Sequence, residues 1–375
     1  MKRRVVLAGG GHAHLTVLKN LDRFIDKDHS VTLISPTTHH YYSGMGPGLL
    51  AGTYRPQEVR FHVKKMAEDR GAEFILGKVN RVAPGDRVLY TETEEKIEYD
   101  VVSFNTGSQV PLDGISDSAK EVYPVKPIDN LLMARNTILD RIDNEDLRLA
   151  VVGGGPAGLE LAGGLRQIVK HKDGSARITL FAGSRLLGSL PEKARRYAYQ
   201  ALSDRQIAVV EGDAVQDIND GYLVTSKGRE FQFDVLLLAW GIKPSRLFRG
   251  SGLPTDPNGG LLVNEFLQSV KYPEIFGGGD CICFQKKPLD KVGVYPVREN
   301  PILYYNLLAA ITGGEMKPFE PQDRYLLIFN VGGGKGIFWK QNWIWRGRLA
   351  FYLKDYIDRK FMREFQVCGE PYEEE

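Results

Sequence analysis

The chain has 375 residues, 42% hydrophobic and 26% charged, with a formal net charge of +2. That length holds two domains with ordinary cores, and the near-balanced charge excludes the strongly basic class of nucleic-acid binders. No run reaches the roughly 18 apolar residues of a spanning helix, and the basic start Met1-Lys2-Arg3-Arg4 leads into an apolar run that stops at Gly9, too short for export. A cytoplasmic protein is therefore expected. The three cysteines, Cys281, Cys283 and Cys368, fit neither a disulfide framework nor a zinc site.

Val5-Val6-Leu7-Ala8 reads as a strand closed by Gly9-Gly10-Gly11, with a helix opening behind it. A strand that turns through Gly-x-Gly into a helix aims backbone N–H groups and the helix dipole at a pyrophosphate. Here the pattern is Gly9-x-Gly11-x-x-His14, so a histidine stands at the third glycine and must fill space or tilt the helix. Val31-Thr32-Leu33-Ile34 reads as the second strand. It ends on Ser35-Pro36, where an acid would hold a ribose hydroxyl; Ser35 offers a hydrogen bond without charge. The segment His39 to Gly48, including Ser43 and Gly44, is rich in glycine and aromatic residues that suit the approach of a flat ring. Neighbours on a strand point to opposite faces, so His39 and His40 are not expected to share a metal, and no metal site is expected. For His12 and His14, packing and phosphate contact stand beside proton donation.

Tyr99 to Gly107 reads as an Asp-led strand ending in Thr106-Gly107. The pattern then repeats. Leu149-Ala150-Val151-Val152 runs into a complete Gly153-x-Gly155-x-x-Gly158, with Pro156 and Ala157 between the last two glycines and Glu160 behind them. Its second strand, Ile178-Thr179-Leu180-Phe181, ends on Ala182-Gly183-Ser184-Arg185, again without an acid. Ser184 and Arg185 suit a 2′-phosphate, which favours NADPH over NADH; an inherited site that no longer binds nucleotide is the alternative. Phe233 to Gly241 is the second Asp-led strand, and Ile275-Phe276-Gly277-Gly278-Gly279-Asp280 is a further phrase. Repetition of the set implies two similar α/β domains of Rossmann type.

These ordered phrases resemble the flavoproteins with two dinucleotide-binding domains, the pyridine nucleotide-disulfide oxidoreductase family, over about residues 1–315. The resemblance implies FAD on the first turn and NAD(P)H on the second, with Asp280 against the flavin side chain. It places Gly9, Gly11, His12, Ala13, Ser35, Pro36, Ser43, Gly44, Val79, Thr106, Gly107, Gly279, Asp280, Tyr295 and Pro296 at FAD. Gly153, Gly155, Pro156, Ala157, Gly158, Ser184, Arg185 and Gly241 are placed at NAD(P)H. It also implies a helix beginning near Pro296 whose N–H groups face the flavin. The stretch Tyr41 to Gly52 has no cysteine, which excludes the dithiol branch of the family. What remains resembles type II NADH dehydrogenases and sulfide:quinone oxidoreductases, although Cys283 and Cys368 do not match the sulfide enzymes. Gly9 to His14, Tyr42 to Met45, Val292 to Arg298 and Lys354 to Met362 are also similar to the flavoprotein half associated with selenide water dikinase.

The implied organisation is residues 1–115 and 256–320 for FAD, 116–255 for the inserted NAD(P)-type domain, and 321–375 as a C-terminal segment. The expected activity is FAD-dependent electron transfer from NAD(P)H to a quinone-type acceptor. Two alternatives remain: a sulfur, selenium or other small donor with the second site idle, and a flavin-bearing sensor or partner protein. Glu160 reads either as the carboxylate near the nicotinamide or as an acid that favours the helix dipole. In the C-terminal segment Leu349, Leu353, Tyr356 and Ile357 gather on one side of a helix, with Phe361 continuing it. Lys354, Arg359, Lys360 and Arg363 add basic charge, and Trp339, Trp343 and Trp345 precede it. Such a helix suits the inner face of the cytoplasmic membrane or packing against the chain's own core or a dimer partner. The acidic tail Glu370 to Glu375 is expected to be disordered.

Overall fold

The computed structural model describes residues 2–26 and 28–373. Two parallel five-stranded sheets share one plan. In the first, Arg4–Ala8 lies between Ser30–Ser35 and Val101–Phe104, with Glu73–Leu76 and Ile275–Gly277 at the edges. In the second, Leu147–Val152 lies between Ala176–Phe181 and Val235–Leu238, with Ile207–Val210 and Val122–Pro124 at the edges. Each glycine turn thus leaves a central strand whose apolar residues, Val5 to Ala8 and Leu149 to Val152, are buried, as helix-covered parallel strands require. Ile275–Gly277 returns to the first sheet after the second is complete, so the second unit is inserted in the first.

The repeat extends to polar detail. Asp100 accepts the backbone N–H of Arg4 at 2.8 Å, and Asp234 accepts that of Arg148 at 2.7 Å. Each aspartate also pairs with the same arginine's guanidinium. The acid that leads each neighbouring strand, Val101–Phe104 and Val235–Leu238, therefore fixes the start of the central one.

The two glycine turns open onto different helices. The second leads into a sixteen-residue helix, Pro156–His171. A Cβ on Gly158 would lie 1.9 Å from the Gly153 carbonyl oxygen, so only glycine lets the helix nest there. The first opens instead on a tight turn, His12–His14, and a five-residue helix, Leu15–Lys19. His14 fills the space by bridging the Gly9 carbonyl (Nδ1, 2.6 Å) and Ser103 Oγ (Nε2, 2.8 Å). A single helix behind the first turn is therefore not what forms.

The C-terminal segment is a three-stranded antiparallel sheet, Leu327–Asn330, Gly336–Lys340 and Trp343–Gly347, with helix Arg348–Phe365 behind it. Leu349, Tyr356 and Trp343 are 74%, 61% and 72% exposed, and Tyr352, Leu353 and Ile357 lie open beside them. Two expectations are corrected. Phe361 belongs to the inner face, packed on Tyr42 and Phe61, and Lys354 points inward to Asp358 rather than adding surface charge. The tail is ordered where described: Glu370 is buried and accepts the His62 N–H, while Glu373 pairs with Arg60. Residues 374 and 375 of the expected disordered tail lie outside the described residues. Among the described residues no helix is long and apolar enough to cross a membrane.

Candidate functional site

Asn105 joins the first glycine turn to the Gly279-Asp280 phrase. Its N–H donates to the Ala8 carbonyl at 2.8 Å and its Nδ2 to the Gly278 carbonyl at 2.6 Å. Gly9 adopts φ +97°, and a Cβ there would stand 2.3 Å from the Asn105 carbonyl oxygen; one on Gly11 would meet Asn105 Oδ1 at 1.6 Å. Close approach of the Asn105 backbone is thus the reason for Gly9, and the Asn105 side-chain amide the reason for Gly11. Ala13 is buried against this joint, and a Cβ on Gly278 would meet it at 2.8 Å. Ser35 is buried at its strand end with Pro36 exposed beyond it, and the Ser35 carbonyl accepts Gly77 N–H, just before Val79 enters its strand. Ser43 and Gly44 form a tight turn. Gly107, at φ +66°, has open space where its Cβ would be.

Asp280 is mostly buried. It accepts from Ser108 Oγ at 2.8 Å and from the Lys126 ammonium. Burial alone would raise its pKa, but the Lys126 charge and these bonds outweigh that and hold the carboxyl below the usual range. Behind it, Glu299 accepts the Gly279 N–H at 2.5 Å from within helix Val294–Thr312. Burial pushes Glu299 up to about 7. That helix starts just before Tyr295 and Pro296, and both line a small recess with Asp280 and Lys291. Cys281 is sealed in, donating to the Gly278 and Phe104 carbonyls, and burial pushes its thiol up to about 11. It is a packing residue.

In the second unit Gly153 repeats the Gly9 device, at φ +143° with the Ala239 carbonyl 2.2 Å from its Cβ position. Gly155 faces open space, and Pro156 and Ala157 are exposed, so backbone N–H groups and the dipole of the long helix front an accessible cradle. Arg185 is held by Glu192 at 2.7 Å, while Ser184 lies in the same loop. An acid therefore does reach this edge, from the helix Glu192–Ser203 rather than from the strand end. Gly241 is at φ +123° with nothing near its Cβ position. A cavity of about 990 Å³ lies between the two units, lined by Val110, Pro124, Lys126, Lys243, Pro244 and Arg246 among others.

Glu160 does not idle at its helix start. Its Oε1 accepts the Asn330 backbone N–H at 2.6 Å, from the C-terminal segment. Lys354 lies close enough for its charge to act on Glu160, and donates to the Gly44 carbonyl and to Asp358, both at 2.7 Å. Tyr42 OH completes the group by donating to Asp358 at 3.2 Å. Burial pushes Glu160 up to about 7, with Lys354 opposing, and pushes Asp358 up as well. Burial acts against the Lys354 ammonium, yet Asp358 and Glu160 outweigh it and raise its pKa. The first unit, the second unit and the C-terminal helix all meet here.

The residues of the first unit fit a flavin dinucleotide. The turn leaves no room for side chains on Gly9 and Gly11, Gly107 opens outward, and a partly buried carboxylate–ammonium pair flanks them. His12 Nε2 is also sealed from solvent without a hydrogen-bond partner, the kind of buried polar atom that a ligand satisfies. Sequence reasoning misses Lys126, Tyr42, Lys354 and Asp358 as site residues. Lys126 sits in an ordinary-looking linker, and Lys354 with Asp358 reads as an i,i+4 surface pair. One group of three metal-type ligands occurs among the described residues: His39, His62 and Glu373. Its carboxylate already takes two Arg60 donors, and His62 Nδ1 caps a helix.

The family model for pyridine nucleotide-disulphide oxidoreductases matches residues 3–301. The chain is 25% identical over 368 residues to the internal alternative NAD(P)H-ubiquinone oxidoreductase A1 of Arabidopsis thaliana, covering 85% of this chain and 71% of that protein. It is 22% identical to the type II NADH:quinone oxidoreductase of Staphylococcus aureus, covering 98% and 96% of the two chains. The structure of NDH2 from Plasmodium falciparum, determined in complex with NADH, superposes with a TM-score of 0.82 at 16% identity, over 99% of each chain. The fold is shared with that enzyme. With its family match spanning both glycine turns and the Gly279-Asp280 phrase, the chain belongs to the pyridine nucleotide-disulphide oxidoreductase family.

Proposed function

We propose that the chain is an FAD-dependent NAD(P)H dehydrogenase that passes electrons to a quinone. The observation that carries this reading is the largely enclosed group Glu160, Lys354, Asp358 and Tyr42, set where both nucleotide units and the C-terminal helix converge. The names of the relatives, which include NADH:quinone and NAD(P)H-ubiquinone oxidoreductases, support it. Bound FAD supplies a centre that accepts hydride from a nicotinamide and releases electrons to an acceptor. Gly9, Gly11, His12 and Ala13 take its pyrophosphate, Ser35 with Pro36 and Val79 the adenosine end, and Asp280 the flavin side chain. Ser43, Gly44, Thr106, Gly107, Gly279, Tyr295 and Pro296 close around it. Gly153, Gly155, Pro156, Ala157 and Gly158 take the nicotinamide cofactor's pyrophosphate, with Ser184 and Arg185 at its ribose and Gly241 behind.

Reduction of a quinone by two electrons takes up two protons, one assigned to Glu160 and the other drawn from water. Glu160 Oε1 is committed to Asn330, so Oε2 holds the proton that a carboxyl titrating at about 7 retains near neutrality. The Lys354 charge opposes that proton, and Asp358 balances the ammonium. The exposed apolar stripe of helix Arg348–Phe365, with Lys360 and Arg363 open at its end, lays this site against a membrane surface from which quinone enters. The test is anaerobic titration of the yellow holoprotein with NADH and with NADPH at the flavin absorbance, then addition of ubiquinone. Bleaching by a nicotinamide and recovery with quinone is expected. No bleaching by either nucleotide refutes the function.

A further inference from the structure

His12 and His40 form a half-buried pair, with His12 Nε2 sealed from solvent, that the group around Glu160 does not use. His40 opens the two-residue strand His40–Tyr41, paired to Arg60–Phe61, and His12 comes directly after Gly11 in the first glycine turn. Their rings meet edge to face with centroids 4.6 Å apart, and His40 Nε2 lies 3.1 Å from His12 Nδ1. The Tyr42 and Phe361 rings pack on His12 from the other sides. Burial, joined by the nearby Lys126 charge, keeps both imidazoles neutral at pH 7, His40 titrating at about 4 and His12 well below its ordinary value.

A neutral imidazole carries one N–H, so the contact admits two arrangements. If His12 Nδ1–H donates to His40, His12 Nε2 is a bare lone pair. If His40 Nε2–H donates to His12 Nδ1, His12 Nε2–H is a donor with nothing to meet. Nε2 is the ring atom left buried and unpartnered, in the turn whose glycines receive a pyrophosphate. Phosphate oxygens of a dinucleotide only accept, so only the second arrangement gives a bond there. A buried donor left unmet is costly, whereas a bound anion removes that cost.

We propose that His40 is a positioning residue for the flavin dinucleotide: its Nε2–H donates to His12 Nδ1 and thereby fixes the tautomer that presents His12 Nε2–H to a phosphate oxygen. This rests on the flavin reading of the first turn. His14 shows the same logic completed within the chain. The Gly9 carbonyl requires Nδ1–H, which leaves Nε2 to accept from Ser103.

The test is a long-range 1H–15N spectrum of the full-length, FAD-loaded protein labelled with 15N-histidine. His12 is expected with protonated Nε2 and bare Nδ1, and the Nδ1–H form overturns the proposal. FAD affinity of the variants gives a second readout. His40→Gln, whose amide nitrogen can still donate, is expected to bind FAD within about threefold of the parent. His40→Phe and His12→Phe are each expected to lose about tenfold to a hundredfold, the range for a hydrogen bond to a charged group, with the double variant losing no more. Parent-like affinity in a folded His40→Phe protein overturns the proposal. Should that variant fail to fold, the parent spectrum alone decides. A protein that takes up no FAD overturns the flavin reading and this proposal together. FAD uptake with the wrong tautomer overturns only the second.

Discussion

Glu160→Gln isolates the burial of one carboxyl. Glutamine keeps an acceptor for the Asn330 N–H and nearly the same volume, so the substitution removes the ionisation and little else. In the native chain the carboxyl titrates at about 7, against an ordinary 4.5. Because the native state binds this proton more tightly than the unfolded chain, unfolding stability falls as pH rises through that window. The whole rise corresponds to about 3 kcal/mol at 1.36 kcal/mol per pH unit. Below about pH 4.5 both states are protonated and the residue contributes no pH dependence. Urea denaturation of parent and variant at pH 5, 6, 7 and 8 measures it. The parent is expected to lose about 2.5 kcal/mol more than the variant between pH 5 and 8. Glu299, also at about 7, is present in both proteins and cancels in the difference. Parallel stability curves would show that Lys354 already holds Glu160 ionised, and would remove the carboxyl as a neutral-pH proton holder.

Three further outcomes are set by the geometry. Gly158→Ala, whose added Cβ would meet the Gly153 carbonyl at 1.9 Å, is expected to abolish reduction by nicotinamide while FAD content stays at parent level; flavin absorbance before and after NADPH measures both. Lys354→Met leaves Asp358 buried without its cation and is expected to cost about 3–5 kcal/mol in urea unfolding. The double variant K354M/D358N, which keeps an acceptor for Tyr42, should recover most of that loss. Tyr356→Asp on the exposed stripe is expected to leave reduction by NADPH unchanged and to lower sedimentation with anionic phospholipid vesicles at least about tenfold. Unchanged sedimentation, or a shift from dimer to monomer in ultracentrifugation, would assign that face elsewhere.

The sheets are legible in the sequence because a glycine turn behind an apolar β-branched run is a local signal, and because it occurs twice. Even the Asp100–Arg4 and Asp234–Arg148 anchors are foreshadowed by the Asp-led strands. The group around Glu160 is legible only in Glu160 itself, which follows the second glycine turn. Lys354 and Asp358, four apart on a helix, carry the mark of a solvent-exposed pair. Only the arrival of Gly44 and Tyr42, more than 300 positions away, turns them inward. Helix Arg348–Phe365 has apolar residues on two faces. Phe361, Met362 and Phe365 bury while Leu349 and Tyr356 do not, and periodicity alone does not say which face the core takes. The break behind the first glycine turn escapes sequence reasoning for a local cause. His14 is recognisably too large for the third glycine position, but its consequence depends on Ser103 receiving the ring.

The difference between the two turns has a functional sense. The first has no long helix behind it, so little dipole is available there. It is built instead from enclosed side chains: the Asp280–Lys126 pair, the His12–His40 pair, and Asn105 tying the turn to Gly278. On the proposed reading, release of a dinucleotide from such a site requires these largely enclosed groups to be re-solvated. The second relies on backbone N–H groups at a sixteen-residue helix, with Gly155, Pro156 and Ala157 open to solvent. A ligand there is gripped by an exposed dipole and few side chains, which suits a molecule that docks, reacts and leaves. On the proposed reading, the less regular glycine turn is the one suited to a resident cofactor, and the regular one to a visiting substrate.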